Sequence, residues 1–493
     1  MKRITKITAV LVVLILAVTL QTGVFAQEQQ TQAQATTPIE QPDNWAFDGV
    51  NWSAIYGLAR QDMFAKYAAK ANREELYAVG DNLYERLTGK TIAPVKQNPF
   101  TDTDKPSVLV AYAIGILSGE GKFEPAKEAT RLEMVTVLYN TLKAANAGLK
   151  FDSTVALTAA DAGEIPAASL EAVKYSVAKG LLKGVGNNTL GLAASCSRQE
   201  LMVFAKRAYE LAVYETGNDS KGLMWKASDE DSTVYLLGSV HVANPSIYPL
   251  SKAMLNAYEK SDALVVEADI ANQNDGIKYM QQKMMLTGSD TLDKYVSKEV
   301  YDRFVEAIKP LGLKPEVYNK LKPWYAAILV QNVQIAQDSY SANLGIDLYF
   351  TAKATGKKPI IEIEGLKFQV DMFDSFSKEL QEQYLAATLT PDKSSQQQQS
   401  DLIAAIMKAW KSGDAAVAEK LLAAEDDGSV EAKELNEKLW TARDNNMYQK
   451  IKTYLADPAK KTYFIVVGAG HMEGKDGIVT QLESNGFDVE QVK

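Results

Sequence analysis

The sequence predicts two architectures in one chain: an all-α region of helical-hairpin repeats, followed by an α/β (α+β) domain whose mixed sheet is covered by helices. Arg-x-Glu phrases that open helices recur at positions 73, 131 and 198, which indicates repeated units. Strand-like runs stand at 223–227 and 233–240, which are joined by an acidic turn as a hairpin, and again at 263–269, 357–365, 463–467 and 488–492, with helical stretches between them. These positions predict a mixed sheet that joins both ends of the 222–493 segment under a cover of helices.

The first 26 residues have the features of a secretory signal peptide. A basic start at Lys2 and Arg3 precedes an apolar run from Ile7 to Leu20, and small residues lead to an expected cut after Ala26. The run is too short for a comfortable membrane span, so no stable transmembrane span is expected after cleavage; an uncleaved anchor is the alternative. Residues 27–43, rich in Gln, Thr and Pro, are expected to form a flexible linker. We therefore expect a secreted protein.

Composition narrows the classes of partner. Cys196 is the only cysteine, so no intramolecular disulfide is possible and the core alone must stabilise the exported chain. With 493 residues, of which 46% are apolar, the chain is long enough for more than one domain. A net charge of -9 argues against nucleic acid as a partner and is compatible with metal ions or with neutral and basic ligands.

Three repeats are expected at about 44–96, 97–150 and 151–217. Each is predicted to contain a helix that opens with a capping box, in which an Asn, Thr or Ser is followed three residues later by Glu. The three N-cap residues are Asn72, Thr130 and Ser197. In the second and third units a Gly-x-x-x-Gly phrase precedes this helix and indicates a tight turn between two helices.

The second unit resembles an S-layer homology module in its full motif order, from Phe100-Thr101-Asp102 through Phe123-Glu124-Pro125 to Thr130-Arg131-Leu132-Glu133. The third unit lacks the Phe-x-Pro element, and the first lacks the glycine pair. The resemblance implies attachment to secondary cell-wall polysaccharide at the surface of a bacterium. It also implies that the motif arginines face the anionic glycan, because a guanidinium forks onto carboxylates. Those arginines are Arg73, Arg131 and Arg198; the alternative is that each merely ties a helix start to its neighbour.

The chain has only two histidines, His241 and His471, and each ends a strand-like run that closes on Gly-x-x-His. Ligand crevices of open α/β sheets lie at strand ends, so both imidazoles are expected to face one acidic crevice. Other predicted strands end on carboxylates at Glu267, Asp269 and Glu364. The alternatives are structural histidines held by hydrogen bonds and ordinary solvated charge at strand ends.

From Gly222 to Val492 the chain resembles the TraB/GumN family, which includes the Tiki-type proteases. Seven phrases occur in the family's order: Leu237 to His241, Val266 to Asp269, Lys322-Pro323-Trp324, Gly345-Ile346-Asp347, Lys358 to Glu364, Arg443-Asp444-x-x-Met447, and Gly468 to His471. The family's paired Gly-x-x-His motifs fall on His241 and His471. Its strand-end glutamates fall on Glu267 and Glu364, and its helical arginine on Arg443. The resemblance implies a divalent-metal-dependent peptidase.

In this interpretation His241, Glu267 and His471 hold a divalent metal ion (Mn, Co, Fe or Zn), because two imidazoles and a carboxylate suit such borderline cations. Glu364 would be a further ligand or the general base. Arg443 would pair with a substrate carboxylate or the developing oxyanion. Two histidines rule out a three-His zinc site, and the chain has neither an H-E-x-x-H helix nor a G-x-S-x-G elbow.

Two functions remain open. The first is an exported, wall-anchored, metal-dependent hydrolase, most plainly a peptidase, acting on a peptide or small-molecule substrate. The second is a non-catalytic surface module that binds or sequesters a peptide signal in the same crevice. A purely structural envelope protein is a third reading and would require an inert C-terminal domain.

Overall fold

The computed structural model describes residues 40–145, 148–229, 232–269, 274–337, 340–389, 393–423 and 427–493. The predicted signal peptide, 1–26, and most of the predicted linker, 27–43, lie outside these residues. The chain divides into an N-terminal unit that ends at Asp219 and a C-terminal unit that runs from Ser220 to Lys493. Within the described ranges, no helix combines the length and the apolar character that a membrane span needs.

The N-terminal unit is helical. Its helices are α1 (Phe47–Ile55), α2 (Arg73–Thr88), α3 (Pro106–Ala113), α4 (Arg131–Ala145), α5 (Ala167–Ala178) and α6 (Arg198–Glu215). The predicted capping boxes are present at Asn72 before α2 and Ser197 before α6. Before α4, the Thr130 hydroxyl accepts from Glu133 N, and the Glu133 carboxylate accepts from Thr130 N. Each box satisfies N–H groups that the first helical turn would leave unpaired.

The segments just before α2, α4 and α6 pair with one another in a closed cycle. Ala71 N donates to Cys196 O, Cys196 N donates to Ala129 O, and Ala129 N donates to Ala71 O, each at 2.9 Å. Each of these residues lies two positions before the motif arginine of its own unit. The three units are therefore related by an approximate threefold arrangement of their backbone contacts.

The C-terminal unit is built on a six-stranded mixed sheet, which confirms the predicted mixed α/β fold. Its strands are β1 (Leu223–Ser228), β2 (Thr233–Ser239), β3 (Ala263–Val266), β4 (Ile360–Glu362), β5 (Thr462–Gly468) and β6 (Asp488–Val492). Their order is β4-β3-β5-β2-β1-β6. Strands β4, β3, β5 and β2 run parallel, whereas β1 is antiparallel to β2 and β6. Central strands β3 and β5 are buried along nearly their whole length, which explains their continuous apolar sequences.

Helices form the rest of the C-terminal unit. They are α7 (Lys252–Lys260), α8 (Asn274–Lys283), α9 (Leu292–Tyr295), α10 (Lys298–Ile308), α11 (Pro315–Tyr318), α12 (Pro323–Gln337), α13 (Ile346–Ala354), α14 (Leu366–Asp374), α15 (Lys378–Thr388), α16 (Lys393–Ser412), α17 (Ala415–Leu422), α18 (Val430–Asn436), α19 (Ala442–Leu455) and α20 (Ile478–Ser484). A π-helical turn, Glu437–Thr441, joins α18 to α19. A core of buried aliphatic and aromatic side chains packs between several of them, including Trp324 and Phe373.

One stretch differs from the sequence prediction. Residues 390–400, with their four glutamines, are predicted to be a polar loop, yet from Lys393 onward they belong to α16. Glutamine and lysine have good helix propensity, and the stretch from Lys393 to Ser400 contains no proline or glycine that would break a helix. The same helix buries Ile403, Met407 and Trp410, so tertiary packing fixes it.

The sheet topology determines where the candidate site lies. Four neighbouring strands run parallel, so their carboxyl ends meet at one edge of the sheet. Glu267 follows β3 directly and Glu364 follows β4 by two residues. His241 follows β2 by two residues and His471 follows β5 by three. The fold therefore places all four predicted side chains along this single edge.

Candidate functional site

The two imidazoles converge on one carboxylate. His241 Nε2 and His471 Nε2 each lie 4.0 Å from Glu267 Oε1. Gly468 lies at the centre of this group: a β-carbon built on it would lie 3.2 Å from Glu267 Oε1, 3.4 Å from His241 Nε2 and 3.5 Å from His471 Cδ2. Residues that stand far apart in sequence thus surround a small space at the end of β5.

Each imidazole is also hydrogen-bonded, through its Nδ1, to an aspartate carboxylate. His241 Nδ1 donates to Asp347 Oδ1 at 3.0 Å, and His471 Nδ1 donates to Asp444 Oδ1. An ionised carboxylate can only accept, so each Nδ1 carries a proton and a neutral ring keeps its lone pair on Nε2. His471 is fully buried, and its Nε2 has no hydrogen-bond partner among the described residues.

Arg443 binds two glutamates rather than facing open space. Its Nη2 donates to Glu267 Oε2 at 2.8 Å and to Glu364 Oε2 at 2.7 Å, and its Nε donates to Glu364 Oε1 at 2.8 Å. Gln369 Nε2 donates to Glu267 Oε2 at 2.9 Å and to Glu364 Oε2 at 3.2 Å. Gly468 N donates to Glu267 Oε1. Both glutamates are therefore held by a buried polar network at the base of the site.

These contacts shift the pKa values of the site. Burial raises the pKa of Glu267, but the Arg443 guanidinium, followed by the two imidazoles, outweighs burial and lowers this pKa to about 2. Burial lowers the pKa of His241, yet Asp347 and then Glu267 outweigh it and raise this pKa to about 8. Burial raises the pKa of Asp444 above its usual value, although His471 opposes the change.

The buried charges at the site do not balance. Glu267, Glu364, Asp347 and Asp444 contribute four negative charges when ionised, and Arg443 contributes one positive charge. With neutral imidazoles, three negative charges remain uncompensated in a region that is largely shielded from water. Such an excess favours the uptake of positive charge, as protons on the imidazoles or as a cation between them.

The donor types suit a divalent cation, but their spacing is wider than in a formed site. Among the residues that the structure describes, no group of three or more His, Cys, Asp or Glu side chains is arranged to hold a metal ion. Metal–ligand bonds of about 2.0–2.2 Å would place neighbouring ligand atoms of a tetrahedral ion about 3.4 Å apart. The 4.0 Å separations from each Nε2 to Glu267 Oε1 exceed that value.

Two glycines near the histidines are confined by close contacts: Gly238 of the first Gly-x-x-His motif, and Gly470, which directly precedes His471. A β-carbon on Gly470 would lie 2.4 Å from the Trp440 ring, which packs against His471 with 5.1 Å between ring centroids. A β-carbon on Gly238 would lie 3.0 Å from Ala469 Cα. Trp440 belongs to the π-helical turn just before α19, and such turns are frequent at functional sites.

The sequence model of the TraB/PrgY/gumN family matches residues 223–491, which is more than half of the 493-residue chain. The chain belongs to the TraB/PrgY/gumN family. Its curated relatives include the uncharacterized protein YbaP of Escherichia coli K12 and the protein of the same name in Shigella flexneri. Each is 27% identical over 139 residues, or 28% of this chain and 50% of the relative. The chain therefore spans about half the length of the curated relatives that it matches.

Within this TraB/PrgY/gumN domain the structure brings together His241, Glu267, His471, Glu364 and Arg443. Glu364 makes its contacts with Arg443 and Gln369, and its side chain is fully buried. The sequence interpretation offered Glu364 as a further ligand or general base and Arg443 as a partner of substrate. Their mutual salt bridge favours instead a supporting role, in which Arg443 holds Glu267 ionised and in place.

Three residues of the site were not among the predicted functional residues. Asp347 and Asp444 occur within motif phrases, after Gly345-Ile346 and directly after Arg443, so their signal was present although their partners were not evident. Gln369 lies one turn into α14 and has no comparable signal in the sequence. The predicted Asp269 lies beyond the end of β3, where its backbone N–H donates to Glu362 Oε1.

Within the N-terminal unit, each motif arginine contacts a residue of a neighbouring predicted repeat. Arg131 donates to Glu200 Oε1 at 2.7 Å, Arg73 Nε lies 3.5 Å from Glu133 Oε1, and Arg198 pairs with Glu75. Each arginine thus reaches the capping-box glutamate of another helix, in a cycle that joins the same three segments as the backbone hydrogen bonds but runs in the opposite direction. Arg131 is buried, whereas about a fifth of the Arg73 and Arg198 side chains is exposed (18% and 19%). These contacts are those expected if each arginine ties a helix start to its neighbour.

Proposed function

We propose that the C-terminal unit is a divalent-metal-dependent hydrolase and, more specifically, a peptidase. The observation that carries this proposal is the fully buried His471 Nε2, which has no hydrogen-bond partner among the described residues and lies, like His241 Nε2, 4.0 Å from Glu267 Oε1. A lone pair that is removed from water without a partner costs free energy, unless a cation or a proton donor occupies the adjoining space.

His241, His471 and Glu267 would hold the ion, which would be Mn, Co, Fe or Zn from the donor types. When bound, such an ion acidifies water and polarises a carbonyl group. Arg443 keeps Glu267 ionised near neutral pH, since the guanidinium lies 2.8 Å from its Oε2. Gln369 and Gly468 N fix the orientation of the same carboxylate. Asp347 and Asp444 hold the rings from the opposite side.

The same proposal covers the location of the protein. We propose that the chain is exported and attached to the wall of a bacterium through secondary cell-wall polysaccharide. The signal-peptide features of residues 1–26 and the motif order of the second repeat support it. Arg73 and Arg198 keep about a fifth of their side-chain surface exposed (18% and 19%) and would be the accessible glycan contacts of the N-terminal unit.

Gly468→Ala tests the proposed function directly. The backbone of Gly468, with φ -50° and ψ 139°, accepts alanine, yet the new methyl group would fill the space that the three donors surround. We expect the variant to fold, to bind Mn²⁺, Co²⁺ or Zn²⁺ at least about tenfold more weakly, and to lose cleavage of a peptide library. Gly163→Ala is the matched control, because a β-carbon there meets no atom within 4 Å.

Metal content after purification and calorimetric titration would measure binding, and mass spectrometry of the peptide library would measure turnover. Wild-type protein that binds none of these cations and yields no product would refute the proposal. Equal cation affinity in wild type and Gly468→Ala would show that the ion binds elsewhere.

A specific observation favours the second candidate, a module that binds a peptide signal without cleaving it. Arg443 pairs with both Glu267 and Glu364, so neither glutamate is free to act as a general base. Retained peptide affinity in metal-free protein, with no product after prolonged incubation, would identify this function.

A further inference from the structure

We infer that Asp444 and Asp347 are positioning residues that fix both histidines of the chain in one tautomer, with the two Nε2 lone pairs directed at Glu267, and that Asp444 provides the more rigid of the two supports. The inference rests on the proposed function in one respect only, namely that the two lone pairs bind a divalent cation. The tautomers themselves follow from contacts within this chain.

The Asp444–His471 pair is dry and tightly packed. Asp444 lies on α19, its side chain is 5% exposed, and the His471 side chain is fully buried. The Trp440 ring packs against the imidazole, and His471 belongs to a short 3₁₀ turn, Ala469–His471, directly after β5. A ring that is hydrogen-bonded to a carboxylate at one edge and packed against a tilted indole has little freedom to rotate.

The Asp347–His241 pair is looser. Asp347 Oδ1 accepts from both Ser239 Oγ at 2.7 Å and His241 Nδ1 at 3.0 Å, so one oxygen serves two donors. The Asp347 side chain is 14% exposed and that of His241 is 9% exposed. Water therefore reaches this pair more readily than it reaches Asp444, and it can replace part of the lost contact if Asp347 is changed.

Replacing either carboxylate with an amide changes which tautomer is favoured. An aspartate can only accept a hydrogen bond, so it requires the proton on Nδ1. An asparagine can also donate to Nδ1, which moves the ring proton to Nε2. A proton on Nε2 would point at Glu267 and occupy the lone pair that a cation needs. The aspartates therefore act through the histidines and do not need to touch a ligand.

The histidine content of the chain makes this testable by NMR. Protein labelled with ¹⁵N in histidine contains only two imidazoles, and the spectra are recorded at pH 9.5, well above the usual titration range of histidine. Long-range ¹H–¹⁵N spectra of the wild type should show both rings protonated on Nδ1. Asp444→Asn should convert His471 to the Nε2–H form in most molecules, and Asp347→Asn should convert a smaller fraction of His241.

Asp457→Asn is the matched control. Asp457 accepts from Tyr463 Oη at 2.6 Å and from Ala459 N at 2.9 Å, near the start of β5 and so away from the site. Both rings should keep the wild-type tautomer in this variant. An Nε2–H form of either ring in wild-type protein would overturn the inference. An unchanged His471 tautomer in folded Asp444→Asn would also overturn the inference. If that variant does not fold, the spectra of Asp347→Asn and of the wild type test the inference without it.

Titration of Mn²⁺ into metal-free protein separates this inference from the proposed function. Asp444→Asn should weaken Mn²⁺ binding by about 10–100-fold, Asp347→Asn by less, and Asp457→Asn should match the wild type. Equal Mn²⁺ affinity in wild type and Asp444→Asn would overturn the inference while the proposed function stands. The wild-type protein could show both rings in the Nδ1–H tautomer and still bind no divalent cation. That result would support the inference and refute the metal-dependent function.

Discussion

Replacing Arg443 with methionine is expected to destabilise the C-terminal unit by about 4 kcal/mol at pH 7, because removal of one partner from a buried ion pair costs roughly 3–5 kcal/mol. Arg443 donates three hydrogen bonds of 2.7–2.8 Å to Glu267 and Glu364, and it is only 4% exposed. Methionine fills much of the same volume, so the loss reflects charge rather than a cavity. The unfolding temperature should fall by about 8–16 °C.

The pH dependence distinguishes this explanation from a general loss of packing. In the wild type Glu267 stays ionised down to its pKa of about 2, so its stabilising effect is present above the unfolded-state value of 4.5 and is lost as the pH falls below it. Without Arg443, burial should raise the pKa of this carboxyl above 4.5. It would then take up a proton at a higher pH than in the wild type, and the deficit of Arg443→Met should shrink as the pH is lowered.

Urea unfolding at pH 7, 6 and 5, followed by tryptophan fluorescence, measures both effects. The triple variant Arg443→Met, Glu267→Gln, Glu364→Gln should recover much of the loss, because it leaves no uncompensated charge in the core. Lys298→Met, which removes an exposed i,i+4 pair with Asp302, should change stability by less than about 0.5 kcal/mol. A deficit under about 1 kcal/mol, or one that stays constant from pH 7 to 5, would refute the electrostatic reasoning.

Two further predictions concern single residues. His241, whose pKa is raised from 6.5 to about 8, should stabilise metal-free protein by up to about 2 kcal/mol below pH 6.5, and this stabilisation should disappear as the pH rises through 8. Urea unfolding from pH 6 to 9.5 should show that decline, and His241→Gln should abolish it; an unchanged slope in the variant would assign it to another group. In the N-terminal unit, Arg131→Ala should cost about 1–3 kcal/mol, because Glu200 and two carbonyl oxygens lose a buried donor. Lys143→Ala, which removes a well-exposed pair with Glu171, is its control; lost binding to purified wall polysaccharide at unchanged stability would instead support a glycan-facing Arg131.

The elements of the sheet were predictable because their signals are local. The β1–β2 hairpin, the buried runs of β3 and β5 and the final strand all appear as apolar or alternating segments at the predicted positions. The strand order was not predictable in the same way. Strand β5, from near the end of the chain, lies between β3 and β2, and its pairing depends on contacts between distant segments. Only the first turns of α16, Lys393 to Ser400, were not predicted, because these residues are polar and precede the apolar face of the helix.

The residues of the site, like the strands of the sheet, were predictable only where the signal lies in a short stretch of sequence. Gly-x-x-His phrases and strand-end glutamates could be read from the chain, since each depends on a strand and the two or three residues after it. The partners of those side chains could not be derived in this way. Whether Arg443 faces substrate or Glu364 depends on how α19 is oriented on the sheet, and the π-helical turn before it shifts its helical phase. The same applies to Asp444, which lies next to Arg443 but supports His471.

The charge arrangement links the stability of the C-terminal unit to its proposed function. Two strand ends and two helices bring four carboxylates and one guanidinium to a single edge of the sheet, and this excess of negative charge opposes folding unless positive charge enters. In metal-free protein the entering charge is a proton, as the raised pKa of His241 indicates. A divalent cation bound by the same Nε2 atoms must displace such protons. Cation affinity should therefore increase with pH over the range in which the stability of the metal-free protein decreases. If cation affinity and stability instead changed in the same direction with pH, the cation would not be bound at these histidines.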